Sequence, residues 1–109
     1  MNLDIKCTNL ELTPSIKEYI ETKTSGLSKL MGKWEKIGAV EARFELARTS
    51  NHHNKGDVYH AEMNLTLDGK FIRAEADGED AYAVIDKAKD IMKKEISKLK
   101  DKEDDEKKK

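Results

Sequence analysis

Apolar residues recur along this chain with two periods. Leu3, Ile5 and Cys7 alternate with Asn2, Asp4, Lys6 and Thr8, the period of a half-buried strand. "LTPSIKEYIETKTSGLSKLM" changes to a helical stripe of Ile16, Tyr19, Ile20, Leu27 and Leu30. Thr13 suits the capping position, and Pro14 the first helical one, where its missing N–H has no partner to lose. Gly26 weakens this helix by about 1 kcal/mol relative to Ala, and Gly32 is the expected stop. Alternation returns in "GAVEARFELART", with Val40, Ala42, Phe44 and Leu46 inward, and again in "DVYHAEMNLTL", with Tyr59, Ala61, Met63, Leu65 and Leu67 on one face. A polar loop, "TSNHHNKGD", separates them. Asp68-Gly69 is a two-residue hairpin signal. It leads into "KFIRAEA", with Ile72, Ala74 and Ala76 inward, and Asp77-Gly78 closes that strand. The last pattern, Val84, Ile85, Ala88, Ile91, Met92, Ile96 and Leu99, is one stripe of an amphipathic helix.

The order β-α-β-β-β-α predicts an α+β two-layer sandwich. A three-strand meander gives antiparallel pairs with one polar face. The other face needs cover, and the two helical stripes are the apolar surfaces available to provide it. Both helices are therefore expected on one side of a four-stranded sheet, in one domain over residues 1–100. The segment 101–109, "DKEDDEKKK", has no apolar residue and is expected to be a charged, frayed extension.

Charge changes the picture only when it is divided along the chain. The 109 residues carry 21 Lys and Arg against 22 Asp and Glu, a net charge of -1. Setting aside the last nine residues leaves 17 of each sign, so the body is neutral and no whole-molecule field draws in nucleic acid. Binding of an anion must then come from local segregation. From Asp86 to Lys100 there are six lysines against three acids. At about 100° per residue, Lys87, Lys94 and Lys98 form one rail beside the apolar stripe, and Lys89, Lys93 and Lys100 form another on the opposite flank. The ordinary account of such lysines is a solvated face, and Asp90 with Lys94 has the i,i+4 spacing of a weak surface pair. Lys23 is harder to explain that way. It falls in the apolar stripe between Ile20 and Leu27, so it must snorkel out or meet an acid. With the helices adjacent, Lys17 and Lys23 on one and the rail on the other would make a basic strip that follows a phosphate backbone without reading bases.

Catalysis and metal binding find little support. There is no nucleophile elbow and no glycine-rich phosphate loop before a helix. Cys7, the one cysteine, alternates with core residues; it excludes an intrachain disulfide and fits a reducing compartment. His52 and His53 are adjacent in a polar loop, a poor geometry for two ligands on one metal, and His60 points to the polar sheet face. With no second Cys and no spaced carboxylate–histidine pattern, neither metal nor cofactor is expected, and the chain is read as a non-enzyme. No apolar run approaches a membrane span. The acid in "MNLDIKC" interrupts any export signal, so the expected location is cytoplasmic. An RNA-recognition sheet would display exposed aromatics, but Phe44 and Tyr59 point inward and only Phe71 lies on the polar face. Trp34 is expected to anchor a turn.

"LELTPSIKEYIETK" and "DGEDAYAVIDKAKDIMKKEISKLKDK", placed around a three-strand meander, resemble the ribosome hibernation-promoting factors, also called ribosome-associated inhibitors. The specific part is Asp80, Tyr82, Ala83, Ile85 and Asp86 followed by Lys94 and Lys98, supported by the "LTP" helix opening with Lys17 and Lys23. The resemblance covers residues 1–102. It implies a layout similar to double-stranded-RNA-binding domains. It also implies docking on the rRNA of the small ribosomal subunit, in competition with mRNA and tRNA, so that ribosomes hibernate under stress or in stationary phase. Lys17, Lys23, Lys94 and Lys98 match basic positions of the family pattern, and Lys87 is added from helical geometry. Ala81 stands where many members carry Met, and Gly26 where a basic residue is common, which removes one candidate contact. Ending at Lys109, the chain is expected to correspond to the short forms and to be monomeric off the ribosome. The alternative is a protein-interaction module with a basic helical face and no ribosome binding. A free-standing duplex-RNA binder ranks third.

Overall fold

Period-2 alternation becomes strand at each place the sequence indicates. The structure, a computed structural model, describes residues 1–50 and 57–107; His52 and His53 of the expected loop lie outside them. Strands β1 (Leu3–Thr8), β2 (Val40–Ser50), β3 (Asp57–Leu67) and β4 (Lys70–Gly78) form one sheet in the order β1-β2-β3-β4. β1 runs parallel to β2, and the other neighbours are antiparallel. Register aligns the inward residues in rows across all four strands. One row is Leu3, Ala42, Leu65 and Ile72; the next is Ile5, Phe44, Met63 and Ala74; the third is Cys7, Leu46, Ala61 and Ala76. Asp68 and Gly69 both have positive φ, 51° and 81°, as a tight hairpin turn with the native strand twist requires.

The helices cover the inward rows. Helix α1 (Pro14–Ser25) starts as its sequence indicates, with the Thr13 hydroxyl accepting from the Ile16 N–H at 3.2 Å. It does not continue to Leu30. Gly26 caps it, a 3-10 turn follows over Gly26–Lys29, and a short helix α2 (Gly32–Lys36) comes next, so Gly32 opens a helix where a stop was expected. Thr24 and Ser25 hydroxyls donate back to the Ile20 and Thr22 carbonyls, a contact that bends helices, and the side-chain-free Gly26 follows. The break serves burial: Leu27, Met31 and Trp34 are each at most 2% exposed. Trp34 thus anchors this turn as expected, with Lys33 Nζ 4.6 Å from its ring.

Helix α3 spans Ala81–Lys107, roughly 40 Å at 1.5 Å per residue. Val84, Ile85, Ala88, Met92 and Ile96 are fully buried against the sheet and α1. The frayed extension expected from residue 101 is instead helical through Lys107. The reason is ionic rather than apolar. Glu103 accepts from Lys33 of α2 and from Lys70 at the start of β4, which pins the last turns to the body. Lys33 first, then Lys70, holds the Glu103 carboxyl below its usual range. Glu103→Gln is expected to cost about 0.5–1.5 kcal/mol at neutral pH, the scale of two partly exposed pairs. A lowered carboxylate pKa stabilises the fold above the unfolded value, about 4.3, and that contribution is lost as pH falls through the depressed folded value. The melting-temperature gap between wild type and Glu103→Gln should therefore close in acid.

Candidate nucleic-acid interface

Where α1 meets α3, polar side chains rim the buried seam. The Tyr19 ring packs edge-on against Tyr82, with centroids 4.8 Å apart at 89°. The Tyr19 hydroxyl donates to both Asp86 carboxylate oxygens, at 2.8 and 2.9 Å, and that hydrogen bond foremost raises the phenol's pKa. Lys23 resolves its awkward position by snorkelling and pairing together. Its stem leaves the apolar stripe beside Tyr19, and its Nζ stands 5.3 Å from that ring and 3.6 Å from Asp86 Oδ1. The side chain remains 39% exposed. Lys23 is thus held by two partners at the mouth of the crevice, with its charge still open to solvent.

Around it the lysines of α3 are arranged differently from the expected strip. Asp90 pairs with Lys89 at 2.7 Å rather than with Lys94. Its carboxyl is held below the usual range first by the Lys89 hydrogen bond, then by the charges of Lys89, Lys93 and Lys23. Lys94 is left with no ion pair among the described residues. The rail of Lys87, Lys94 and Lys98 is exposed but lies about 80–120° round α3 from Asp86, at 100° per residue. Lys89 and Lys93 lie within about 60° of it. Lys23 is therefore gathered with the second rail, and the first forms a separate outer line. That line is not free of acids, since Lys98 Nζ lies 3.5 Å from Glu95 Oε1. Lys17 is exposed and about 120° round α1 from Lys23; no ion pair or hydrogen bond among the described residues joins it to α3. Sequence periodicity separates the two rails but contains no sign of which one faces α1. The Asp86–Lys23 contact decides that.

The sheet's outer face offers no stacking platform. Phe44 is 1% exposed on the inner side, whereas Phe71 is 57% exposed, with the Arg73 guanidinium 5.4 Å from its ring. Cys7 packs against the core, and burial pushes its thiol pKa up. Among the described residues, no helix is long and apolar enough to cross a membrane.

Known proteins resemble this chain in sequence and in fold. The chain is 32% identical over 92 residues to a ribosome hibernation promotion factor of Deinococcus radiodurans, covering 84% of this chain and 45% of that protein. It thus spans just under half the length of that relative. It is 30% identical over 102 residues to a ribosome hibernation promoting factor of Klebsiella oxytoca, covering 94% and 96% of the two chains. Among solved structures, the Thermus thermophilus Protein Y N-terminal domain superposes with a TM-score of 0.67 at 25% identity, over 91% of this chain and 99% of that one. A ribosomal subunit interface protein from Coxiella burnetii, 18% identical with a TM-score of 0.64 over 92% and 98%, shares the fold. The sequence pattern of the family described as "Sigma 54 modulation protein / S30EA ribosomal protein" matches residues 3–104, and the chain belongs to that family.

Proposed function

We propose that this chain binds the small ribosomal subunit in the channel otherwise used by mRNA and tRNA, and promotes ribosome hibernation by occupying it. The reading rests first on the relatives named ribosome hibernation promoting factor that it matches nearly end to end. The observation that carries it structurally is the pair of basic lines on α1 and α3: Lys23 with Lys89 and Lys93 at the crevice, and Lys87, Lys94 and Lys98 outside it. These are mounted on two helices backed by a buried core, so their spacing is fixed before contact, and rigid presentation limits the entropy lost on binding. Lys17 extends the basic surface along α1. Such a surface tracks phosphates by charge and shape. Occupancy needs no bond to be made or broken, no cofactor and no second copy of the chain, and the site of action is the cytoplasm.

Cosedimentation with purified small subunits tests this. The wild type should pellet with subunits and be displaced by initiator tRNA. Lys23→Glu/Lys94→Glu/Lys98→Glu, shown by circular dichroism to be folded, should remain in the supernatant. Equal pelleting of both would reduce these lysines to solvated decoration. Failure of both would turn attention to a protein partner for the same helical face.

A further inference from the structure

The sheet face turned away from the helices carries a second cluster of chemistry-bearing side chains. His60 and Glu62, two residues apart on β3, project from the same side of the strand. The β3–β4 register sets Glu62 opposite Glu75 and His60 opposite Asp77. One ligand atom each from His60, Glu62 and Glu75 lies within 4.8 Å of the others.

Two observations set this group apart from ordinary surface acids. The first is electrostatic. Like charges directly opposite on paired strands repel, yet Glu62 faces Glu75. Local partners offset only part of this: Asn64 Nδ2 donates to Glu62 Oε2 at 3.0 Å, and Arg73 Nη1 stands 3.8 Å from Glu75 Oε1. Glu62, Glu75 and Asp77 against Arg73 leave an excess of acid around His60, which a divalent ion would offset. The second is orientational. Asp77 Oδ1 lies 2.6 Å from His60 Nδ1. That contact turns Nε2 toward Glu62, whose Oε1 is 3.8 Å away. A carboxylate behind a histidine in this way is how proteins fix the tautomer and direction of a metal-binding imidazole. Tetrahedral zinc with bonds of about 2.0–2.2 Å sets its ligand atoms about 3.3–3.6 Å apart. Small rotations of these partly exposed side chains close the remaining gap.

We propose that His60, Glu62 and Glu75 bind one zinc-type divalent cation on the outer face of the sheet, with Asp77 orienting His60. One imidazole with two carboxylates selects a borderline transition ion over magnesium or calcium, which take oxygen ligands. Three protein ligands leave a coordination position open to solvent or to a partner's donor atom. The site lies on the opposite face from the lysines, so its test is independent of ribosome binding.

The experiment is calorimetric titration of the full chain with zinc chloride, with magnesium chloride in parallel, while NMR follows the His60 ring signals. Zinc should bind once per chain and move those signals, and magnesium should do neither. His60→Gln and Glu75→Gln should each abolish binding, and Asp77→Asn should weaken it about 10–100-fold. A His52→Ala/His53→Ala variant should bind as the wild type does. His60, Glu75 and Asp77 lie on the outer face of the sheet, and an unchanged melting temperature without metal verifies the fold of every variant. The proposal is overturned if zinc produces no heat up to roughly millimolar concentration. It is equally overturned if binding survives His60→Gln and Glu75→Gln, or if it disappears in the His52/His53 variant while the His60 signals stay still.

Discussion

Truncating Phe44 to Ala is expected to cost the fold about 3–5 kcal/mol, the range for emptying an aromatic site in a packed core. Phe44 is 1% exposed and sits on β2, with β1 on one side and β3 on the other. Its row is Ile5, Phe44, Met63 and Ala74. Ile5 and Met63 stand directly beside it and Leu46 follows along β2, but each is held in its own place in the sheet, so they refill the vacancy only in part. Domains of this size have total stabilities of about 5–15 kcal/mol, which makes the loss a large fraction of the whole. Urea unfolding should show a much lower midpoint with an unchanged slope, the sign of lost stability in an otherwise similar native state. A loss below about 1.5 kcal/mol, the scale of a well-tolerated swap, would mean that the helix layer settles onto the sheet far more freely than this packing allows.

Ribosome binding is expected to weaken steeply as salt rises, because each lysine that meets a phosphate displaces a condensed counterion. On a plot of log affinity against log salt, Lys23→Gln/Lys94→Gln/Lys98→Gln should flatten the slope by about 2–3, at roughly 0.7–0.9 per phosphate contact. Single variants should differ in order. Lys94 has no ion pair among the described residues and should give a full decrement. Lys23 and Lys98 should each give a smaller one, because Asp86 at 3.6 Å and Glu95 at 3.5 Å already serve as their counterions. Fluorescence-detected binding at several salt concentrations measures all of this. Parallel lines for wild type and the triple variant would show that these lysines meet no phosphate.

The strands and their inward faces were legible because alternation and the Asp68-Gly69 turn are local signals, each sufficient by itself. The first helix was legible at its start and not at its end. Ile16 to Leu30 keep a helical spacing even though the backbone turns at Gly26, and only the need to bury Leu27, Met31 and Trp34 together reveals the turn. The tail was misjudged for the opposite reason. It has no apolar residue, and its helix is held through Glu103 to lysines far away in sequence. Lys23 was legible as an anomaly, but its partner Asp86 was not, since that depends on how two helices cross. The His60 group was more readable than the reading made of it. A two-residue turn at Asp68-Gly69 already fixes Glu62 opposite Glu75 and His60 opposite Asp77, so the ligand spacing was in the register rather than in any linear motif.

The parallel pairing of β1 with β2 has a consequence for how the chain assembles. Leu3 pairs with Ala42, across both α1 and α2, while β2, β3 and β4 pair with immediate neighbours. Closing the longer loop costs more entropy before any contact rewards it. The meander and α3 are therefore expected to form the nucleus, and β1 to dock last. β1 precedes β2 in the chain, so it is already synthesised when the meander forms, and the β2 edge has no neighbour until β1 docks. Folding-rate measurements should give Ile5→Val a φ-value near zero and Met63→Ala a much higher one. Until β1 docks, the newly formed meander thus carries an open strand edge, which crowded synthesis exposes to pairing with a sibling chain.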